Sequence, residues 1–538
     1  MRHVAILLMA ASVFCGCGRR ETRVAHGNRG QVLHINNGPE PQNLDPHVVT
    51  GVPEHHIIMA LLEGLVSEDP HGITPQPGTA ERWDISPDQT VYTFHLRKNA
   101  RWSNGDPVTA RDFVHSYHRA LAPSLASEYA YMLYVMKGAE EFNTGRITDF
   151  DQVGVKALDD QTLEVRLNSS TPYFLSLLLH YAWFPLHIPT IERHGPLYER
   201  GNRWTKPGSF VGNGPYALEE WKVNHMIVVR KSPTYWDAAN VKLNKIYFYC
   251  IESSDTDERA FRSGQLHKMY EMPQTKIDTY REKHPDLLRI EPFLGTYFYV
   301  VNTRKPPLND KRVRRALAMA INREAIVKNV TRGKELPAYY FTPPGTAGYT
   351  ARAGFAFDIE GARKLLAEAG YPDGKGMAPI EILFNTLESH RAIAEAIQEM
   401  WKRNLGIDVQ LLNQEWKVYL DSMKKTGNYH VARFGWIGDY PDPNSFLDLW
   451  VTGGGNNDAR WSNVEYDRLI REAGRTGDLA KRLEVFQQAE TILMDEMPVI
   501  PIYFYTKVYA IQPSVKGWYP TILDNHPYQH LWLEEGKH

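Results

Sequence analysis

Cysteine is scarce in this sequence, which has three cysteines in 538 residues, at positions 15, 17 and 250. Two of them lie near the N-terminus, so Cys250 is the only one in the body of the chain. A framework of internal disulfides is therefore excluded, and stability must come from packing. With 43% apolar residues, the chain is long enough for two or three domains with buried cores.

Net charge and short catalytic motifs are also lacking. The chain carries 61 basic against 63 acidic residues, a formal charge of −2 that offers no electrostatic footprint for nucleic acid. The glycines at 453–455 lack the Gly-Lys-Ser/Thr of a phosphate loop, and no G-x-S-x-G, H-E-x-x-H or C-x-x-C motif occurs. We predict no enzyme, metal site or cofactor, although a catalytic carboxylate pair among so many acidic residues stays open.

The adjacent histidines His55 and His56 are the nearest approach to a metal motif. Their side chains would point to opposite sides of a strand, or about 100° apart on a helix, which is poor geometry for one shared ion. We interpret them as solvated or packing residues.

No apolar run is long enough to span a bilayer, and the run at residues 4–14 has eleven residues. It follows a short basic start, which is typical of a secretory signal. Gly16 and Cys17 come next, and this arrangement resembles a bacterial lipoprotein signal, cut before Cys17 with lipidation of its thiol. Lipidation of Cys15, or a plain secretory cut, stays an alternative.

We therefore expect residues 1–16 to be a lipoprotein signal and residues 17–30 to be a lipidated, flexible tether, because the latter are polar and rich in Gly and Arg. The folded protein would then lie in the periplasm or cell envelope, held to the membrane by its lipid.

Aromatic residues are plentiful, with 13 Trp, 29 Tyr and 20 Phe, and they suit recognition surfaces as well as cores. Alternating patterns predict strands at 31–35, 91–96, 163–167, 227–230 and 246–250. Helical spacing predicts helices at 109–121, with Thr109 as N-cap, and at 311–328, 359–369 and 390–404. The class is mixed α/β. No repeat and no long linker is visible, so the domains can be interleaved, with a ligand between lobes.

Residues 80–121 carry the most specific resemblance. Trp83, the turn at 86–88, the strand at 92–97, and the segments 102–105 and 107–110 resemble the signature region of bacterial extracellular solute-binding proteins of the peptide-binding class (family 5). Further matching segments cover most of residues 31–538, and within the class the nearest type is the oligopeptide-binding one. The matching segments are 43–47, 213–216, 232–236, 262–264, 305–310 and 364–371.

This resemblance implies a two-lobed periplasmic-binding-protein clamp, similar to type II, with an extra inserted domain. It implies three interleaved domains: lobe 1 from 31–64, 189–290 and 507–538; the inserted domain from 65–188; and lobe 2, with the ligand loop, from 291–506. It also implies a monomer that delivers short peptides to the permease and ATPase subunits of an ABC importer.

A binder that is indifferent to peptide sequence must hold what all peptides share. These features are a backbone of alternating donors and acceptors, an α-ammonium and an α-carboxylate. Strand addition at a sheet edge can bind the first, a buried carboxylate the second, and cations the third.

The segment 433–440 resembles the ligand loop of the family. The resemblance places Asp439 at the peptide ammonium, gives Gly435 and Ile437 the backbone pairing, and makes Trp436 a side-chain pocket wall. A surface loop with an N-capping Asp is the plainer interpretation of the same residues.

The remaining site residues also follow from the resemblance. Val52, in the segment 51–54, would pair with the peptide backbone, and Tyr129 and Tyr505 would line the ammonium end, although a core role suits both tyrosines. Arg433 and His390 would meet the carboxylate, Arg433 through a bidentate fork and His390 only when protonated.

Four positions depart from the family pattern. Thr331 replaces a lysine that relatives use for the carboxylate of shorter peptides, and Thr50 replaces an acidic residue near the ammonium end. Gly295 and Ile437 stand where some relatives have a cysteine pair. The preferred peptide length is therefore open. A narrower ligand (a dipeptide, murein peptide, nickel chelate or haem) is the nearest alternative, and a surface hydrolase or a signalling receptor is more distant.

Overall fold

The computed structural model describes residues 21–71, 74–332 and 335–535. The predicted signal and lipidation residues, including Cys15 and Cys17, lie outside the described residues. Within the described residues, no helix has the length and apolar character needed to cross a membrane.

The helices of the described residues are named α1 to α16 in chain order. They are Arg23–Gly30, Val52–Leu61, Ala110–Leu121, Ala139–Asn143, Phe174–Leu177, Ile188–His194, Ser254–Arg262, Ile277–Lys283, Lys311–Met319, Arg323–Ile326, Ile359–Glu368, Glu388–Leu405, Trp416–Leu420, Asn444–Leu447, Val464–Ala473 and Leu479–Glu496. Short 3₁₀ turns join several of them, and π-helical turns cover Val327–Thr331 and Asp421–Thr426.

The strands are named β1 to β18 in the same way. They are Val32–Asn36, Val66–Glu68, Pro75–Pro77, Ala80–Ile85, Val91–Leu96, Val155–Ala157, Thr162–Arg166, Tyr216–Lys222, Met226–Lys231, Lys245–Tyr249, Leu288–Val301, Leu336–Pro337, Ile380–Asn385, Val409–Gln414, Val431–Ile437, Val499–Ala510, Val515–Lys516 and Trp532–Leu533.

Three sheets of four or more strands organise these elements. The N-terminal sheet has the order β1-β10-β9-β8, the second sheet β4-β5-β7-β6, and the large sheet β12-β16-β11-β15-β13-β14. Because β1 lies beside β10, and β11 beside β16, segments distant in sequence share one sheet. The mixture of helices with several sheets confirms the predicted α/β class.

The long strands β11 and β16 contribute side chains to three buried cores. At one end, Leu288 pairs with Ala510, and the backbone of residues 269–272 bonds to β16. At the other end, side chains of β11 alternate between the two faces of the large sheet. Tyr297 and Tyr299 enter one core, and Phe298 and Val300 enter the other, as the two-residue period of a strand requires.

The predicted strands and most predicted helices are confirmed to within a few residues. In α3, Thr109 occupies the N-cap, and the Asp112 carboxylate accepts a hydrogen bond of 2.7 Å from its backbone N–H. Gly406 ends α12 with φ +70°, the left-handed geometry that favours glycine at a helix C-terminus.

The prediction of one helix over 311–328 is wrong. The chain leaves α9 after Met319, and Asn322 starts α10 by accepting a hydrogen bond of 2.9 Å from the Ala325 N–H. An N-cap residue inside an apolar periodic pattern is the local signal for this break.

The predicted flexible tether is wrong for Arg23–Gly30, which form α1. Thr22 caps this helix, and the Val24 N–H donates to the Gly264 carbonyl at 3.0 Å. Asn28 is buried and bonds to the His267 ring at 3.1 Å. Contacts with distant segments therefore stabilise a helix that has no apolar periodicity.

Candidate ligand-binding cleft

Asp439 lies two residues after the end of β15, in a turn anchored at both sides. The Gly438 N–H donates to the Leu294 carbonyl at 2.7 Å, and the Asp439 N–H donates to Ser445 Oγ at 2.9 Å. The carboxylate is held by this backbone, with its side chain 9% exposed.

Two tyrosines from a distant part of the chain bind this carboxylate. Tyr129 Oη donates to Oδ1 at 3.2 Å, and Tyr131 Oη donates to Oδ2 at 3.4 Å. Both tyrosines lie at the start of the short 3₁₀ turn Ala130–Val135, with Tyr129 as its N-cap. Their hydroxyls reach the same carboxylate. Tyr129 thus lies beside Asp439, and its role at a peptide ammonium stays a prediction. Tyr131 is a neighbour of Asp439 that the sequence did not reveal.

The Asp439 carboxylate has no cationic partner among the described residues. His180 Nε2 is 4.0 Å from Oδ1, but burial lowers the pKa of His180 well below its usual range, so this imidazole is neutral. Burial raises the pKa of Asp439 to about 7, against the opposing effect of the two tyrosine hydrogen bonds. A buried carboxylate that is held by two tyrosines and has no cation beside it is a candidate site for a positively charged group.

Strand β15 offers a free edge beside this carboxylate. Its residues from Val431 to Ile437 pair with β11, but β13 pairs only with Val431 and Ala432 among the described strands. The backbone groups of successive residues in an antiparallel strand point alternately to the two neighbouring sides. The Gly438 N–H points to β11, so the backbone groups of Gly435 and Ile437 point to the other side, which is the open edge. An extended peptide could add to the sheet there.

Arg433 lies on the same strand, six residues before Asp439. Its guanidinium donates to Tyr505 Oη at 2.8 Å and to Asn385 Oδ1 at 3.4 Å, and it lies 4.6 Å above the Tyr297 ring. No carboxylate of the described ranges pairs with it, and its Nε is buried without a partner there.

His390 is the third residue of α12 and is buried, with 6% exposure. Its Nδ1 is 3.4 Å from Tyr297 Oη, so His390 and Arg433 approach the same tyrosine. Burial, with the nearby Arg433, lowers the pKa of His390 well below its usual range. The imidazole is therefore neutral near pH 7.

Gly435 and Tyr505 fit together closely. A Cβ added at Gly435 would lie 2.4 Å from Tyr505 Oη, so the absence of a side chain leaves room for the phenol that binds Arg433. The Trp436 ring is partly buried, and its Nε1 has no hydrogen-bond partner among the described residues.

Val52, the residue predicted to pair with the peptide backbone, is the first residue of α2 and follows an extended Gly51.

The four positions that depart from the family pattern have different surroundings. Thr50 is exposed, whereas Thr331 is buried and donates to Glu335 Oε2 at 2.7 Å. Gly295 and Ile437 lie directly opposite each other across β11 and β15, and the Ile437 side chain fills the space above Gly295.

His55 and His56 were interpreted as either solvated or packing residues, and the structure shows that they pack inside the protein. His55 Nε2 is 2.6 Å from Asn525 Oδ1, and His56 Nδ1 is 3.1 Å from Asn37 Oδ1. Within the described ranges, no group of three or more His, Cys, Asp or Glu side chains is placed to hold a metal ion.

Comparison with family models gives a match over residues 74–458 to the bacterial extracellular solute-binding proteins, family 5 (middle part). The chain belongs to this family. The resemblance seen in the sequence is thus confirmed.

Curated relatives of this family-5 protein span nearly the same length. It is 41% identical over 499 residues to the periplasmic oligopeptide-binding protein OppA of Escherichia coli, covering 91% of this chain and 90% of that protein. It is 37% identical over 525 residues to the oligopeptide-binding protein OppA of Bacillus subtilis, covering 95% and 94%.

Solved structures confirm the predicted clamp fold. The E. coli murein tripeptide-binding protein MppA superposes with a TM-score of 0.86 at 36% identity, covering 93% of this chain and 98% of that one. Haemophilus influenzae OppA in complex with the peptide RPPGFSPFR gives 0.85 at 36% identity, with coverages of 94% and 99%. The unliganded open form of MppA gives only 0.69, so this family-5 chain has a more closed arrangement.

Proposed function

We propose that this protein captures short peptides by closing its cleft over their α-ammonium, backbone and α-carboxylate, with little selection of side chains. The single observation that carries the proposal is the Asp439 carboxylate, which is buried, bonded by two tyrosines and without a cation among the described residues. A peptide α-ammonium supplies the missing charge. The OppA relatives and the peptide complex of H. influenzae OppA support the same ligand class.

The free edge of β15 is the proposed backbone site. Gly435 and Ile437 would pair with the peptide, Val52 would contact it from the other lobe, and Trp436 would line a side-chain pocket. Such main-chain pairing gives affinity that does not depend on peptide sequence.

The proposed carboxylate site is Arg433, with His390 and Tyr505 beside it. Six residues of extended strand separate Arg433 from Asp439, so their Cα atoms are at most about 20 Å apart. A ligand that satisfies both ends would therefore have up to about six residues, since an extended peptide adds roughly 3.3 Å per residue. A carboxylate beside His390 would favour its protonation and add a second cation.

We further propose that the protein is not an enzyme but a monomeric binding component of an ABC importer. It would be exported by residues 1–16, anchored through Cys17, and serve a permease with its ATPase. The lobes would follow the three-domain division expected from the sequence. No relative reported above is named for nickel or haem.

The substitution Asp439→Asn tests the proposal. Removing the charge leaves the ligand ammonium buried and unpaired, which should weaken binding of a tripeptide such as Lys-Lys-Lys by about 2–5 kcal/mol, measured by calorimetry. Unchanged affinity would remove Asp439 from the site.

Two controls make this result specific. The N-acetylated tripeptide, which lacks the ammonium, should bind the wild-type protein and the Asp439→Asn variant with similar, weak affinity. Because the folded-state pKa of Asp439 lies above its unfolded value of 3.8, stability from this group is lost as pH rises through about 7. The variant should therefore be at least as stable as the wild type at pH 8 in thermal unfolding, which separates lost binding from misfolding.

A further inference from the structure

His180 lies beside the proposed ammonium site but comes from a distant part of the chain. It is the N-cap of the 3₁₀ turn Tyr181–Trp183, and it is only 5% exposed. Its Nε2 is 4.0 Å from Asp439 Oδ1, on the carboxylate that Tyr129 and Tyr131 also bind. The proposed contacts between protein and peptide leave this imidazole without a role.

A backbone hydrogen bond determines which nitrogen of His180 carries its proton. The Ala182 N–H donates to Nδ1 at 3.2 Å. A backbone N–H is a donor only, so Nδ1 is the acceptor nitrogen of the ring. Burial, followed by the nearby His55, lowers the pKa of His180 well below its usual range, so the ring is neutral near pH 7. Its single proton is therefore on Nε2, the nitrogen that faces Asp439.

Two aromatic rings hold the imidazole in this orientation. The Tyr129 ring meets it edge-on, with centroids 4.5 Å apart and an angle of 66°, and the Tyr181 ring lies 4.1 Å away, at 32°. A flipped imidazole would also lose the hydrogen bond from Ala182. The Nε2–H therefore stays directed to Asp439.

The groups around Asp439 and His180 do not change charge near neutral pH. The titratable side chains that act on either of them are Tyr129, Tyr131, Tyr181 and His55. Burial raises the pKa of each of the three tyrosines well above its usual value. Burial also lowers the pKa of His55 to about 4. Among these groups, Asp439 is the one that titrates between pH 5 and pH 9.

We propose that His180 is a positioning residue of the ammonium site, whose Nε2–H is a third donor to the Asp439 carboxylate whenever this carboxylate is charged. The separation of 4.0 Å is about 1 Å longer than an N–H···O hydrogen bond, and the negative charge draws the two groups together over that distance. A carboxylate accepts about four hydrogen bonds, so two tyrosines and one imidazole leave room for an ammonium. This role rests on the proposed peptide function.

Such a donor favours the form of Asp439 that a peptide needs. A hydrogen bond to the charged form of a carboxyl lowers its pKa, whereas burial raises it. His180 thus opposes the burial that raises the pKa of Asp439 to about 7. The neutral state of the imidazole matters as well, because an imidazolium would compete with the peptide ammonium for the same carboxylate.

Two substitutions separate this role from simple packing. In His180→Gln the side-chain amide places an N–H donor near the position of Nε2, but the acceptor for the Ala182 N–H is lost. In His180→Asn the shorter side chain keeps an acceptor for that N–H, as Asn does at helix N-caps, and leaves no donor at the position of Nε2. Circular dichroism establishes that both variants are folded before binding is measured.

Calorimetry with Lys-Lys-Lys between pH 5 and pH 9 gives the readout. In His180→Asn the fall in affinity toward acid pH should begin about one pH unit higher than in the wild type, since a carboxylate that loses one charge-assisted hydrogen bond is protonated more easily. Affinity at pH 6 should then be about tenfold weaker, and the two proteins should converge at pH 9. His180→Gln should keep the wild-type profile. In the Asp439→Asn background, His180→Asn should have no further effect on the profile.

The opposite ranking of the two variants would overturn the proposal. If His180 only caps its turn, His180→Asn should match the wild type and His180→Gln should bind more weakly at every pH. An equal loss of affinity at all pH values in both variants would overturn it too. These results would leave the peptide site in place. Wild-type protein that binds no Lys-Lys-Lys at any pH would instead overturn the peptide function, and this role with it.

Discussion

At the scale of single residues, the proposed role of Asp439 predicts that peptide binding depends on pH. Burial raises its pKa to about 7, and a bound ammonium would lower it. Binding then releases a proton whenever the carboxyl is protonated, so affinity should fall by about tenfold per pH unit below pH 7. Affinity should fall again above about pH 8, where the peptide ammonium loses its own proton.

Tripeptide dissociation constants measured between pH 5 and pH 9 would show this two-sided profile. In the Asp439→Asn variant the acidic limb should disappear. Persistence of that limb in the variant would assign the titration to another group.

Gly435→Ala is a second test at this scale. The added methyl would lie 2.4 Å from Tyr505 Oη and must displace the phenol that bonds to Arg433. We expect the affinity for tripeptides to drop by about 1–3 kcal/mol, as for a buried donor that loses its partner, with a smaller loss of stability. Gly455→Ala is the matched control, because the new Cβ there meets open space. Equal peptide affinity in both variants would argue against a role for the Gly435–Tyr505 fit in binding.

At the scale of elements, strand addition to β15 predicts alternation along the ligand. Residues 435 and 437 direct their backbone groups to the open edge, and residue 436 directs its groups to β11. N-methylation of a ligand residue that pairs with this edge should cost about 1–3 kcal/mol, because a backbone carbonyl is left unsatisfied. The next residue along should tolerate the same change. A series of singly N-methylated tetrapeptides, measured by competition, would detect the alternation, and a uniform effect at all positions would contradict it.

The sequence predicted elements best where a local pattern and a local cap coincide, as in α3 and α12. It did not predict α1, since Asn28 and Gly27 gain their stability from His267, more than 230 residues away. For the proposed site, the segment 433–440 could be singled out in the sequence because its residues are contiguous, and its role as ligand loop stays a prediction. Tyr131 and His180 were missed because only the tertiary fold brings them to Asp439, and no spacing in the sequence encodes that approach.

At the scale of the whole molecule, aromatic and ionic contacts join the two sides of the cleft. The Tyr173 ring stacks on Tyr440 of the segment 433–440, with centroids 5.6 Å apart and an angle of 4°, and lies 4.4 Å from the Arg482 guanidinium. Asp442 holds that guanidinium by two hydrogen bonds of 2.6 and 2.8 Å. Lys424 also reaches Glu128, at 3.2 Å.

Tyr173→Ala should therefore shift the protein toward an open form. Loss of the stacked pair and the cation–π contact is worth about 1–3 kcal/mol, so at a peptide concentration that half-closes the wild type the variant should show a larger radius of gyration in X-ray scattering. Saturating peptide should restore the compact form at a higher concentration than the wild type needs. Tyr134→Ala, whose hydroxyl bonds to Asn143 on its own side, is the control. Identical scattering of the Tyr173→Ala variant and the wild type would show that this stack does not hold the cleft closed.

The uncompensated carboxylate at Asp439 also has a cost when nothing is bound. An empty cleft that closes near neutral pH must either enclose a bare negative charge or take up a proton from solution, and both oppose closure. A peptide bound as proposed would remove this obstacle by bringing its own counterion. The closed shape would then indicate that a peptide is bound. A partner that recognises only the closed shape would seldom bind a protein whose cleft is empty.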